Sequence, residues 1–224
     1  MSRRSRVCAG VDQRKSSTLI RVSSEEQYRW TERNARLVVQ AESTGSADDF
    51  ESGSQLRDQF MAENVEWMLE EAGPDAKFIL WAHNDHVARS GVAGKEPMGA
   101  YLANRFSSDL VVLGFEFSVG SVTSLIPTPL GLEPKAVEHA PPQTGSYADV
   151  FGQTGLENFV LDLRDLPPGG GDWLRTEHPF RSIGFQYDPA KDADTIQLAV
   201  LPQRFELVIY LRETTPSHVR PGAP

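Results

Sequence analysis

A chain of 224 residues with 39% hydrophobic and 24% charged residues can bury one sizeable core, and this is the composition of an ordinary globular protein. A formal net charge of −9 argues against general affinity for nucleic acid or an anionic membrane, so neither is expected as a partner. The single cysteine, Cys8, excludes an intrachain disulfide and fits a reducing, cytoplasmic location.

Residues 1–22 include Arg3, Arg4, Arg6, Arg14 and Lys15, show no apolar period, and read as a poorly ordered, solvated extension without a signal-peptide core. Ser23-Ser24 followed by Glu26-Gln27 has capping-box spacing and predicts a helix over 25–40. Residues 43–54, rich in glycine, serine and acids, predict a mobile loop. Phe60, Met61, Val65, Met68, Leu69 and Ala72 recur at helical spacing and predict a second helix over 55–72, stopped by Gly73-Pro74.

Lys77 to His83 reads as a buried strand, Met98 to Phe106 as a short helix and Leu110 to Phe117 as a second buried strand. Together they predict a βαβ unit with parallel pairing and a right-handed crossover. Beyond Gly120, Pro127, Pro129, Gly131, Pro134, Pro141 and Pro142 predict a long irregular loop bordering a site. The run 110–132 contains Glu116, prolines and glycines and is too broken to span a bilayer. Further strands are expected at 159–163, 183–187 and 205–211, the first two separated by Pro167-Pro168-Gly169-Gly170-Gly171. Residues 217–224 read as a disordered tail behind a domain that runs over 23–216. The fold class is α/β, a partial mixed or parallel sheet flanked by helices.

Chemistry concentrates in Trp81-Ala82-His83-Asn84-Asp85-His86-Val87, where a strand would leave its sheet. Histidines three apart can be metal ligands, an acid/base pair, or one catalytic and one orienting group. They can equally be a strand-end residue and a solvated one. On a continuing strand they would face opposite ways, so convergence requires the chain to turn at Asn84. Asp85 or Asn84 could then fix an imidazole tautomer. Zinc is not expected: there is no His-Glu-x-x-His and no cysteine pair, and His139, His178 and His218 lie in proline-rich surroundings. Gly-x-x-x-x-Gly-Lys-Ser/Thr and Gly-x-Ser-x-Gly are both absent, so no nucleotide cofactor and no serine nucleophile is expected. Arg57-Asp58 can be an ordinary helix start, or Arg57 can hold a carboxylate or oxyanion.

Several motifs in order resemble the erythromycin esterase family. They are Arg57-Asp58-x-x-Met61-Ala62-Glu63-Asn64-Val65, Leu80-Trp81-Ala82-His83-Asn84-x-His86-Val87, Met98-Gly99-x-x-Leu102 and Leu113-Gly114-Phe115-x-Phe117-x-x-Gly120. Arg181-x-Ile183-Gly184 and Phe205-x-x-x-Ile209-Tyr210-x-x-x-Thr214-Thr215-Pro216 extend the match over roughly 25–216. The resemblance implies a metal-independent hydrolase, without cofactor, that opens a macrolide lactone or another bulky ester by histidine-assisted attack of water. Some members of that family are linked to extracellular polysaccharide synthesis. His83 and His86 become the expected catalytic pair, with Arg57, Tyr101, Phe115 and Phe117 expected to bind a small-molecule ester.

Three features depart from the family pattern. Its Gly-Glu-x-x-His-Gly segment is missing, Glu206 stands where aspartate is usual, and Ser107-Ser108 replaces a glycine-containing turn. The chain therefore looks like the carboxyl-terminal part of such a domain, with weak or no activity alone and a tendency to self-associate. A non-catalytic ligand- or partner-binding module and a metal-dependent hydrolase using His-x-x-His are the alternatives.

Overall fold

In the computed structural model, which describes residues 13–92 and 94–217, the chain divides into two compact units, 1–61 and 62–224. The first contains α1 (Gln13–Val22), α2 (Glu25–Gly45) and the start of α3 (Phe50–Ala72). The predicted cap forms: the Ser24 hydroxyl accepts the Gln27 N–H at 3.1 Å. A hydroxyl pair, Ser16 and Tyr28 at 3.0 Å, ties α1 to α2.

Two expectations change in this unit. The amino-terminal extension is helical from Gln13, while residues 1–12, Cys8 among them, lie outside the described residues. The expected loop over 43–54 contracts to residues 46–49. Its polar residues cap helices: Ser46 N–H returns to Glu42 O at 2.9 Å, and Asp49 accepts the Ser52 N–H at 2.8 Å. The short polar side chain of Asp49, which looks like loop composition, thus satisfies an orphan amide at a helix start. α3 stops just before Gly73, whose φ of +94° suits a helix terminus.

The second unit continues with α4 (Asn84–Val87), α5 (Met98–Phe106), β1 (Leu113–Thr128), β2 (Gly131–Glu138), α6 (Tyr147–Gln153) and β3 (Asn158–Asp162). β4 (His178–Arg181), β5 (Ile196–Ala199), α7 (Leu201–Arg204) and β6 (Leu207–Thr214) follow. One sheet has the order β2-β1-β6-β3, and β4 and β5 form a separate antiparallel pair. β1 and β6 run parallel while β2 and β3 pair antiparallel, so the fold is α/β with a mixed sheet flanked by helices.

β1 serves two partners in turn, β6 up to Gly120 and β2 from Ser121. The switch needs glycine: φ is +116°, and a Cβ there would lie 2.1 Å from the Thr214 carbonyl oxygen. Beneath the sheet, Tyr147, Phe151, Phe180, Leu201, Phe205, Val208 and Tyr210 form the core. α5 ends at Ser107, which takes a positive φ of 49° where the family pattern has its glycine-containing turn.

Residues 76–83 form no strand, contrary to the sequence expectation. Ile79 is 97% and Trp81 81% exposed, with Phe78 and Leu80 exposed beside them. A strand needs a neighbour for its N–H and C=O groups, and among the described residues none is laddered to this segment. The parallel partner of β1 is β6, so no βαβ unit links 77–83 to β1.

Of the proline-punctuated stretch after Gly120, residues 121–138 are instead the end of β1 and the edge strand β2, joined by a tight turn at Pro129-Leu130, while Pro141 and Pro142 lie in irregular chain as expected. Proline is compatible with an edge, where a missing N–H leaves no neighbour unpaired. Residues 183–187 also fail to ladder; they contribute single bonds, Leu125 N–H to Phe185 O at 2.9 Å and Tyr187 N–H to Ser124 Oγ at 2.7 Å. The expected strands at 159–163 and 205–211 are present as β3 and β6. Residues 218–224, His218 included, lie outside the described residues. No helix among the described residues is long and apolar enough to cross a membrane.

Candidate active site

The chain does turn at Asn84, because His83 caps α4. Its Nδ1 accepts the Asp85 N–H at 3.2 Å, and its Nε2 lies 2.9 Å from Ile183 O. A ring nitrogen that accepts carries no proton, so the Nε2 nitrogen is the donor to Ile183. Asn84 takes a different job. Its amide donates to Phe115 O at 2.7 Å and accepts Phe115 N–H at 3.0 Å, standing in for a neighbouring strand on that edge of β1. Trp81 packs against Phe115 with ring centroids 5.4 Å apart.

The turn presents the His83 and His86 rings to each other at 6.4 Å and 75°. Asp85 points to the β4–β5 pair and α7: Ser182 donates its hydroxyl to Oδ2, while Gln197 and Arg204 reach Oδ1 at 3.0 and 2.8 Å. Burial alone would push this carboxyl up; the hydrogen bonds from Ser182 and Arg204, with the charge of Arg204, bring it below the ordinary aspartate value. Arg204 is itself buried, over the rings of Phe180 and Phe205 at 5.2 and 5.5 Å.

A second polar cluster lies along β1 and β4. Arg181 is buried and contacts His139 Nδ1 at 3.3 Å, Pro141 O at 3.0 Å and Asp192 at 3.2 Å. Tyr187 donates to Asp192 at 2.7 Å and accepts from Ala140 N–H at 2.9 Å. Glu116 is buried at 1% exposure with one oxygen on Phe117 N–H, and burial pushes its carboxyl up to about 8 against the pull of that N–H and of Arg181. His139 is held below its ordinary value, first by burial. In their proline-rich surroundings, His139 packs on Phe117 at 4.8 Å, and His178 stacks on Trp173 at 3.8 Å.

Of the sequence-predicted residues, His83, His86 and Phe115 come together around the α4 turn. Phe117 belongs to the His139 cluster, Tyr101 is half-buried on α5, and Arg57 is exposed on the part of α3 that lies in the first unit. Sequence reasoning missed Glu116, Arg181 and Arg204 as site-forming groups. The one signal was Glu116, a lone carboxyl in an apolar run at a core-facing position of β1. Glu206 accepts Val112 N–H at 2.7 Å and pairs with Arg89, so at this position the longer acid has a structural task. Among the described residues no three His, Cys, Asp or Glu side chains are placed to share a metal ion.

This chain is 28% identical over 119 residues to erythromycin esterase type II of Escherichia coli, an overlap of 50% of this chain and 28% of that protein. A crystal structure of a Bacillus cereus protein superposes with a TM-score of 0.76 at 24% identity, over 93% of this chain and 50% of that one. A mutant of the erythromycin esterase EreC in its open conformation superposes with a TM-score of 0.57 at 20% identity, over 88% and 46%. The chain thus spans half or less of the length of these relatives. The erythromycin esterase family model matches residues 4–214, and the chain belongs to that family.

Proposed function

We propose that this chain is a hydrolytic module for carboxylic esters, with a macrolide lactone or another bulky ester as its substrate class. Water attacks the ester carbonyl and gives a proton to the His83–His86 pair. The acyl–oxygen bond then breaks, and that proton goes to the departing alkoxide, leaving a carboxylic acid and an alcohol. Phe115 and Tyr101 are the apolar groups proposed to hold the ester. The observation that carries this reading is the pair of imidazoles facing each other at 6.4 Å on an anchored turn, in a chain whose family includes a named esterase.

Turnover should be slow, because His83 has hydrogen bonds at both ring nitrogens. Losing a well-placed general base costs on the order of 10²–10⁴ in rate. The test is hydrolysis of a macrolide lactone and of a simple aryl ester by the purified chain and by His86→Ala. We expect slow hydrolysis above the spontaneous rate, cut at least about tenfold in the variant. A wild-type rate equal to buffer alone, or an unaffected variant, overturns the reading.

Exposed Ile79 and Trp81 favour a second reading, a non-catalytic module that binds an apolar ligand or partner. Macrolide binding without turnover, equal in wild type and His86→Ala, would select it.

A further inference from the structure

A closed ring of three hydrogen bonds surrounds His83. Asp85 N–H donates to Nδ1 at 3.2 Å, and the opposite nitrogen donates to Ile183 O at 2.9 Å. Ser182, the residue just before that acceptor, donates its hydroxyl to the Asp85 carboxylate. One side chain therefore braces the donor on one side of the imidazole and the acceptor on the other. The brace is stiff at both ends. Ser182 N–H is bonded to Thr195 O at 2.8 Å, and the second carboxylate oxygen is held by Gln197 at 3.0 Å and by buried Arg204 at 2.8 Å.

We propose that Asp85, gripped by Ser182, Gln197 and Arg204, is a positioning residue that locks His83 in the Nε2–H tautomer and fixes its ring against His86. The consequence for catalysis rests on the hydrolase reading above; the lock itself does not. An imidazole with both nitrogens engaged orients its surroundings but is a poor base, because a proton at Nδ1 would collide with the Asp85 N–H. The exchange of the water proton then falls to His86, with His83 as its fixed neighbour. A carboxylate that orients a histidine through its own hydroxyl partner is an outer-layer device of the kind that commonly tunes a reactive imidazole.

The lock is read directly by nitrogen-15 spectroscopy of labelled histidines in the full chain. In the wild type, His83 should give one unprotonated Nδ1 signal and one protonated Nε2 signal. Asp85→Asn should collapse these toward a tautomer average and lower kcat on the ester about ten- to hundredfold with little change in KM. Ser182→Ala and Gln197→Ala each remove one bond of the brace and should shift the same signals part of the way; they carry the test if Asp85→Asn does not fold.

Averaged tautomers in the wild type, or unchanged His83 signals in all the folded variants, overturn the proposal. If the signals behave as expected but no variant, wild type included, hydrolyses an ester, the lock stands and the hydrolase reading fails.

Discussion

A carboxyl group on the core face of β1 with 1% exposure has to give up its charge to remain there. Burial raises Glu116 to about 8 from 4.5, so between those values the folded chain holds a proton that the unfolded chain has released. Stability must then fall as pH rises through that window and level off above it. A tenfold change in proton affinity corresponds to about 1.4 kcal/mol, and relaxation of the folded state reduces the total, so the loss should be roughly 2–4 kcal/mol.

Glu116→Gln keeps an acceptor for the Phe117 N–H and cannot ionise. Its urea-unfolding free energy should therefore change little from pH 5 to 9, while the wild type weakens; parallel pH profiles would show that Glu116 is charged in the fold. In the sequence this residue showed only as a lone carboxyl in an apolar run, because the charge that acts on it, Arg181, comes from a distant strand. The histidine pair was legible because both members sit in one short turn. Asp85 was legible only as one of two ways to fix a tautomer, and the structure separates them: Asp85 braces His83, while Asn84 serves Phe115.

Periodicity identified several elements with a face on the core, but α6 and β4, which bury Tyr147, Phe151 and Phe180, went unmarked. α5 occupies the expected span, and β3 and β6 fall within a few residues of theirs. It failed where pairing, rather than pattern, makes the element. β2 is almost wholly exposed and carries Pro134, so nothing local marks it; it exists because the second half of β1 offers an edge. Residues 77–83 are the converse, an apolar run that promises a strand and has no laddered neighbour among the described residues.

An apolar segment outside any sheet, with Ile79 at 97% and Trp81 at 81% exposure, is a surface for association with another copy. Size-exclusion chromatography with light scattering should show mass rising with concentration, and the Ile79→Lys/Trp81→Lys double variant should remain monomeric and bind less of a hydrophobic dye. A wild type that stays monomeric at high concentration would remove the association role from this segment.

Burial is distributed very unevenly across the molecule. The apolar core belongs to residues 62–224, where rings and aliphatic side chains gather around Val208 and Tyr210 of β6 and Tyr147 and Phe151 of α6. Among residues 16–61 the buried positions are Arg33, Gln40, Gly53 and Asp58, none of them a large apolar side chain. Helices draw most of their stability in proteins from packing an apolar face, and isolated helices are marginal in water.

Local opening should therefore cost far less in α1 and α2 than in the paired centre of β1 and β6, and hydrogen exchange reports that cost residue by residue. Amides of α2 should exchange at least about a hundredfold faster than those of Glu116 and Tyr210, a gap of about 2.8 kcal/mol in opening free energy. Exchange at equal rates would mean that the first unit opens only when the second unfolds, and would require the polar groups buried in α2 and α3 to hold it as firmly as an apolar core.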